Sequence, residues 1–365
     1  MIDIGIRQRI GSIDALRGLV MFVMIFVNDL AGVPEEIVPA WLRHHDSSSS
    51  GMTFVDLVFP AFIFVVGMSV PLALDRRPDR VLGRVFSRAA TLIVLGVMMY
   101  NDAPDPARMG MSEALYMVLM LGAGILFCTT VRVLRVAGLA GLLALAFVYT
   151  TKKGAHVVNL DPFSIKTGWW GILGLIGWSY LVAALVYLLV RHHRHKRVAL
   201  FGAVVLLLCL YPIGKIGPFK VGELAAHSAI AVAGVLFVTS LTVRSALVFI
   251  AGSAAGALLL QQFWGISKVH ATPPWCLWAC AVTAALWLVL HRVPAGILAV
   301  AGGNVLLAYL LSETFVPLRE LAGISEWYDG LGSTPAAGIA RSLAVAVLVL
   351  AASIGLNKVG FRLRA

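Results

Sequence analysis

Charged residues are scarce in this sequence. They make up 13% of its 365 residues, whereas hydrophobic residues make up 60%. A soluble domain averages roughly a quarter charged residues. The shortage of charge therefore excludes an ordinary soluble fold, and the lipid bilayer becomes the first expected partner of the chain.

Cysteine is also rare, and the sequence contains no C-x-x-C pair. The four cysteines lie in or beside apolar runs, at Cys128, Cys209, Cys276 and Cys280. Free cysteines in such places are usually buried and inert, so no disulfide framework is expected. The tract RHHRHKR at 191–197 lacks cysteine partners and H-x-x-x-H spacing, so we expect a basic interfacial loop and no metal.

Several common motifs are missing as well. The sequence has no P-loop, no dinucleotide glycine fingerprint and no nucleophile-elbow serine. The net charge of +11 would suggest nucleic acid in a soluble protein. No basic patch is interleaved with aromatic residues, however, as single-stranded nucleic acid requires. Nucleic acid is therefore not an expected partner, and the basic residues are expected in cytoplasmic loops.

Long apolar runs are what the sequence has in abundance. About 18 or more apolar residues are needed to cross roughly 30 Å of hydrocarbon. We predict an all-α integral membrane protein, a polytopic bundle of about 10–12 transmembrane helices that forms a single domain over residues 1–365. Its candidate spans are 13–33, 56–75, 80–101, 112–130, 134–151, 168–190, 198–213, 222–241, 244–262, 275–291, 295–317 and 335–357.

The distribution of lysine and arginine predicts an orientation. With the N-terminus inside, 19 of the 29 basic residues fall in inner segments and ten in outer segments. Inner loops of membrane proteins carry the excess of basic residues. The bias predicts that both termini lie inside and that the loop after the first span faces outward.

Polar groups bracket the first two spans, within residues 12–75. Asp14 and Arg17 open the first span, and Asn28 and Asp29 close it. The following loop carries two histidines and an aspartate before the second span begins. Ionisable groups at the ends of spanning helices are costly, so each is a functional candidate.

Ordered motifs run through the same stretch. They are S-x-D-x-x-R-G at 12–18, FVN at 26–28, W-L-x-H at 41–44, G-x-T at 51–53, DLVFP-x-F at 56–62 and G-x-S at 67–69. Together they resemble the transmembrane acyltransferase family typified by heparan-alpha-glucosaminide N-acetyltransferase, in its bacterial branch. WWGILGLIGWSYL at 169–181 and GGNVLLAYLLSETF at 302–315 are similar to later stretches of that family.

The resemblance implies a membrane-embedded acetyltransferase that uses acetyl-CoA and a glucosamine-type amino sugar, in the bacterial inner membrane. His44 matches the W-L-x-H motif and is expected to be the base or acyl carrier, since histidine titrates near neutral pH. The adjacent His45 is not separable from it by pattern alone. Asn28 can stabilise an oxyanion or join helices. Asp56 is a catalytic candidate, or a helix cap that follows Thr53 by three residues.

Arginines on the inner side are candidates for the coenzyme site. Arg77, Arg80, Arg84 and Arg88 follow a three-to-four spacing and line one helix face. Arginine forks suit phosphate, so Arg77, Arg84 and Arg88, with Arg17, are the expected coenzyme-binding residues. Positive-inside topology explains the same arginines without a ligand.

Three carboxylates are candidates for substrate binding. Asp29 and Asp46 lie near His44 in sequence, and either one can orient its ring. Glu313 lies near membrane depth in the eleventh predicted span. The main alternative function is a transporter for N-acetylglucosamine or a related sugar, and self-association as a homo-oligomer is left open.

Overall fold

The computed structural model describes residues 2–76, 79–99, 105–150, 158–160, 163–165, 170–216, 220–294 and 296–363. Within these ranges, the chain is almost entirely helical. The α-helices are α1 Ile2–Leu30, α2 Val58–Asp75, α3 Val81–Met99, α4 Pro106–Met109, α5 Glu113–Phe127, α6 Arg132–Val148, α7 Gly171–Val190, α8 Lys196–Cys209, α9 Val221–Val238, α10 Val243–Leu260, α11 Pro273–Leu290, α12 Gly296–Ala301, α13 Val305–Leu321, α14 Ser325–Gly330 and α15 Pro335–Lys358. Two short strands, β1 Val158–Leu160 and β2 Phe163–Ile165, pair antiparallel.

Nine of the described helices are long and apolar enough to cross a membrane. They are Val55–Asp75, Val81–Met99, Gly171–Val190, Lys196–Ile213, Val221–Val238, Val243–Leu260, Pro273–Leu290, Gly296–Leu321 and Pro335–Lys358. The prediction of an all-α membrane protein is thereby confirmed. Each of the twelve predicted spans overlaps a described helix, and residues 100–101, 151, 168–169 and 295 of those spans lie outside the described residues. Helix α5 has 15 residues and α6 has 17, less than the roughly 20 that a span usually needs.

The chain divides into two compact units. The first contains Met1–Val27, Pro34–Phe86 and Trp178–Gly303. Helices α2, α8, α10 and α11 pack around or beside α9 in this unit. The backbones of α2 and α9 approach closely, because a methyl group on Gly67 would lie 1.9 Å from the carbonyl oxygen of Ala231. Small residues at helix interfaces permit such packing in membranes.

Helix α11 fixes other parts of the first unit through two fully buried tryptophans. The Nε1–H of Trp287 donates to the hydroxyl oxygen of Ser12, at 3.1 Å. The Nε1–H of Trp275 donates to the backbone carbonyl of Asp56, at 3.2 Å. Helix α11 therefore holds both α1 and the short 3₁₀ turn Val55–Leu57 that precedes α2.

The second unit contains Asn28–Val33, Ser87–Gly177 and Asn304–Ala365. Here α5 packs against α6 and α13, and α13 also packs against α15. A methyl group on Gly138 of α6 would lie 2.3 Å from the backbone nitrogen of Phe127, so α5 and α6 form a tight helical hairpin. Each unit draws on distant parts of the sequence, and the single domain over 1–365 stays a prediction.

Candidate active site

The loop that carries His44 is joined to the segment between α10 and α11. The backbone N–H of Gly51 donates to the carbonyl oxygen of Ile266, at 2.9 Å. The backbone N–H of Ile266 donates to the hydroxyl oxygen of Ser50, also at 2.9 Å. Two loops more than 200 residues apart in sequence are thereby held side by side in the first unit.

Asp56 is the centre of the hydrogen bonding in this site. Its side chain is 2% exposed. Its carboxylate accepts hydrogen bonds from Nδ1 of His44 at 2.8 Å and from the backbone N–H groups of His45 at 3.0 Å and Thr53 at 2.9 Å. Donors to the charged form compensate the cost of burying a carboxylate. The predicted capping relation to Thr53 and the contact with His44 thus coexist in one residue.

The contact with Asp56 sets the tautomer of the His44 ring. A carboxylate accepts hydrogen bonds, so in the neutral form of the His44 ring the proton lies on Nδ1 and the lone pair on Nε2. The side chain of His44 is 55% exposed, so the ring is open to a ligand. A neutral histidine that is oriented by a carboxylate can take a proton or an acyl group at Nε2.

Lys268 is the third charged side chain of the site. Its Nζ lies 3.1 Å from Nδ1 and 3.3 Å from Nε2 of His44, and 3.9 Å from Oδ1 of Asp56. Burial lowers the pKa of Lys268, and the Asp56 carboxylate partly opposes that shift. Sequence reasoning missed this residue and counted it only among the outer basic residues. The one available signal was a lysine in the polar segment between two spans.

These side chains surround a small polar cavity of about 180 Å³. It is lined by His44, His45, Asp46, Ser47, Ser49, Gly51, Asp56, Ser267, Lys268 and Val269. Gly51 leaves room for the His45 ring, because a methyl group on it would lie 1.8 Å from Nε2 of His45. Sites for whole drug-sized ligands measure about 300–1,000 Å³, so this cavity suits the reacting end of a substrate.

Asp46 lines the cavity, but its carboxylate is hydrogen-bonded within the local turn of the chain. Its carboxylate accepts a hydrogen bond from the backbone N–H of Ser48 at 2.9 Å, and that bond lowers the pKa of Asp46. The carboxylate hydrogen-bonded to His44 is that of Asp56, twelve residues further along the chain. A substrate-binding role for Asp46 stays a prediction.

Asn28 and Glu313 meet in the second unit. The amide Nδ2 of Asn28 donates to Oε1 of Glu313, at 3.4 Å. Tyr309, one helical turn before Glu313, also hydrogen-bonds to that carboxylate. A predicted catalytic residue and a predicted substrate-binding residue are therefore direct neighbours, and Tyr309 and Glu313 both belong to the stretch GGNVLLAYLLSETF at 302–315.

Asp29 is engaged by groups of its own unit. Its carboxylate accepts hydrogen bonds from the hydroxyl groups of Tyr328 at 2.6 Å and Ser342 at 2.7 Å, and it lies 3.5 Å from Nε of Arg341. Burial and the bond to Asp29 raise the pKa of Tyr328. These contacts tie the end of α1 to α14 and α15. A substrate-binding role for Asp29 stays a prediction.

Of the predicted coenzyme-binding arginines, Arg17 lies on α1, and Arg84 and Arg88 lie on α3; a coenzyme-binding role for them stays a prediction. Arg17 pairs with Asp14 on α1. Arg84 donates to the backbone carbonyl of Asp79 in the first unit, and Arg88 is half-buried in the second unit. Arg77 lies outside the described residues.

The fold and this site define an integral membrane protein with a histidine, a carboxylate and a lysine around a polar cavity. Residues 9–100 match the family described as "Domain of unknown function (DUF5009)", and this range includes both His44 and Asp56. A stretch of 100 residues is 35% identical to heparan-alpha-glucosaminide N-acetyltransferase of Mus musculus, and 99 residues are 33% identical to the Homo sapiens protein of that name. Each match covers 26% of this chain and 14% of the relative.

Proposed function

We propose that this protein is a membrane-embedded acetyltransferase that moves an acetyl group from acetyl-CoA to an amino sugar. The observation that carries the proposal is the 2.8 Å contact between Nδ1 of His44 and the buried Asp56 carboxylate, beside a polar cavity. Similarity to relatives named as N-acetyltransferases supports the same chemistry. The acceptor is of the glucosamine type, and the membrane is a bacterial inner membrane.

In direct transfer, His44 acts as the base for the acceptor amine. The amine lone pair forms the new N–C bond to the acetyl carbon, the carbonyl electron pair moves to oxygen, and an amine proton passes to Nε2 of His44. When the tetrahedral intermediate collapses, the C–S bond breaks and the thiolate of coenzyme A takes that proton. In the second route that the same geometry supports, Nε2 attacks the acetyl carbon, and the C–S bond breaks to release the coenzyme A thiolate. The acceptor amine then attacks the acetyl carbon of acetyl-histidine, the bond to Nε2 breaks, and the amine proton passes to the released imidazole.

The transfer is proposed to cross the membrane. The 19-to-10 distribution of basic residues supports termini on the inside and the His44 loop on the outside. Acetyl-CoA is cytosolic and carries phosphates, so its binding residues are expected on the inner side, and the acceptor sugar is expected on the outer side. Asn28 remains a proposed catalytic residue, and Glu313 remains a proposed substrate-binding residue.

The reaction itself is tested with purified protein. Incubation with acetyl-CoA and glucosamine is expected to release free coenzyme A thiol and N-acetylglucosamine in equal amounts. The comparison experiment measures N-acetylglucosamine uptake into proteoliposomes without acetyl-CoA. Sugar flux without thioester cleavage would reject the enzyme in favour of a sugar transporter.

The coenzyme site gives a separate prediction. Replacing Arg77, Arg84 or Arg88 singly with alanine is expected to weaken coenzyme A binding by about 1–3 kcal/mol each, the contribution of a charged hydrogen bond. Isothermal titration calorimetry measures the affinity. Arg108, which pairs with Asp105 in another segment, is the matched control. Unchanged affinity in all three variants would leave these arginines a topological role only.

A further inference from the structure

We propose that Lys268 is a catalytic residue of this site, whose ammonium group donates a hydrogen bond to the acetyl carbonyl oxygen as that oxygen becomes an oxyanion. This inference rests on the proposed acetyl transfer at His44. It adds the electrophilic group that the His44–Asp56 pair lacks, since the proposed roles of those side chains are an uncharged base and a carboxylate. Preorganised donors of this kind are usually the largest single contribution to acyl transfer.

The position of Lys268 carries the proposal. Its Nζ is 3.3 Å from Nε2 of His44, the atom that receives the proton of the acceptor amine. In a reactive arrangement the attacking amine lies about 3 Å from Nε2, and the carbonyl carbon lies about 3–3.5 Å from that amine. A carbonyl oxygen in the cavity is then within reach of Nζ after a small rotation of the flexible lysine side chain.

The ammonium group has the donors that this role requires. A lysine ammonium carries three N–H groups and no acceptor. Among the described residues, its polar contacts are the ring nitrogens of His44 and, at 3.9 Å, the carboxylate of Asp56. The resting contact with Nε2 is the one that a substrate amine would displace, and its displacement would release an N–H group for the carbonyl oxygen.

The charges also balance through the reaction. In the proposed reaction, the negative charge of Asp56 offsets the positive charge of Lys268, and His44 enters as the uncharged base. Proton transfer makes His44 positive while the acetyl oxygen becomes negative. Asp56 then faces the imidazolium and Lys268 faces the oxyanion, so each developing charge has an opposite charge beside it. Partial burial strengthens both interactions relative to bulk water.

The backbone around Lys268 is held in place. The backbone N–H of Ser267 donates to the hydroxyl oxygen of Thr272, at 3.0 Å. Ala271 has a φ of 48°, in the left-handed region that favours glycine. Such a conformation in a non-glycine residue costs free energy and persists only where the surroundings impose it. The turn therefore presents Lys268 from a fixed backbone.

A pH profile separates this role from a structural one. The titratable groups that face Lys268 are His44 and Asp56, with His45 and Asp46 further around the cavity. A lysine loses its proton on the alkaline side, and burial lowers the pKa of Lys268 below the usual range. Turnover of the wild type is therefore expected to fall at alkaline pH as the ammonium is lost. Arginine stays charged there, so Lys268→Arg should remove that decline.

The experiment compares Lys268→Met, Lys268→Arg and the wild type in detergent-purified protein. Thiol release is measured from pH 6 up to about 10.5, which is close to the ordinary pKa of a lysine. Lys268→Met is expected to lower turnover about 10²–10³-fold, the cost of losing one oxyanion donor, with coenzyme A affinity unchanged. Lys268→Arg is expected to recover part of the activity without the alkaline decline. Lys220→Met is the matched control, because Lys220 also pairs with a carboxylate, that of Glu223, at 3.0 Å.

Two results would overturn the assignment. One is turnover of Lys268→Met within about threefold of the wild type, well short of the loss expected for an oxyanion donor. The other is an alkaline decline in Lys268→Arg at the same pH as in the wild type. A failure of the proposed function looks different, because the wild type itself would then release no thiol and His44→Ala would change nothing. The loss of turnover in Lys268→Met is also compared with the loss in Asn28→Ala, because Asn28 is the oxyanion donor that the sequence predicts.

Discussion

Replacing His44 with alanine is expected to lower acetyl-CoA turnover by about 10²–10⁴-fold, the usual contribution of a general base. The variant loses the ring whose Nε2 lone pair is directed by the contact between Nδ1 and Asp56. Coenzyme A affinity should change little, because the phosphates are proposed to bind on the inner side. Steady-state thiol release and calorimetry on the same preparation measure the two quantities.

The neighbouring histidines supply the controls for this experiment. His270 is an exposed histidine in the facing segment, outside the residues that line the cavity, so His270→Ala should keep normal turnover. His45→Ala is expected to be mild, because it is the backbone N–H of His45 that contacts Asp56. A folded His44→Ala protein with near-normal turnover would refute the catalytic assignment. Loss of activity in His45→Ala alone would move the role to the adjacent ring.

Replacing Asp56 with asparagine is expected to lower turnover by about 10²–10⁴-fold, although the side chain keeps its shape. An amide cannot serve as a charged acceptor for the His44 ring, and its NH₂ group favours the tautomer with the proton on Nε2. The corresponding change in a serine-protease triad costs about 10⁴ in turnover for the same reason. The effect is measured as thiol release by protein that is monodisperse and binds coenzyme A.

Asp56→Asn also has a cost in stability, and a matched variant separates the two effects. The carboxylate accepts from the backbone N–H groups of His45 and Thr53, and each hydrogen bond to a charged group contributes about 1.5–3 kcal/mol. Asp75, at the other end of α2, is also hydrogen-bonded, by the hydroxyl of Tyr187 at 2.6 Å. Asp75→Asn removes one hydrogen bond at an exposed residue, so it should lower the melting temperature by less than Asp56→Asn does and leave turnover near normal. Equal activity losses in both variants would reduce Asp56 to a structural residue.

The membrane architecture follows from local sequence. Helix positions depend on runs of apolar residues, and burying such runs in lipid is favourable wherever they lie in the chain. Each of the twelve predicted spans therefore overlaps a described helix. Their ends were less predictable, since α5 and α6 are shorter than the runs suggested. Which helices pack against α5 and α6 depends on tertiary packing and not on local sequence.

Local sequence also indicated part of the site. The motifs around His44 and Asp56 lie within one short stretch, and residues twelve apart in a single loop are easily brought together. The spacing of Thr53 and Asp56 predicted the contact between them, because a capping pair needs only one turn of backbone.

The rest was decided by tertiary structure alone. Lys268 reaches His44 from 224 residues away, and Asn28 reaches Glu313 from 285 residues away. The intervening chain holds many other polar residues at the ends of spans, and no local pattern pairs Lys268 with His44 or Asn28 with Glu313. The contact between Gly51 and Ile266 brings Lys268 to His44, and helix packing in the second unit brings Asn28 to Glu313. Both sets of contacts form only when the chain is folded. A single sequence records which side chains are available, whereas long-range packing decides which of them meet.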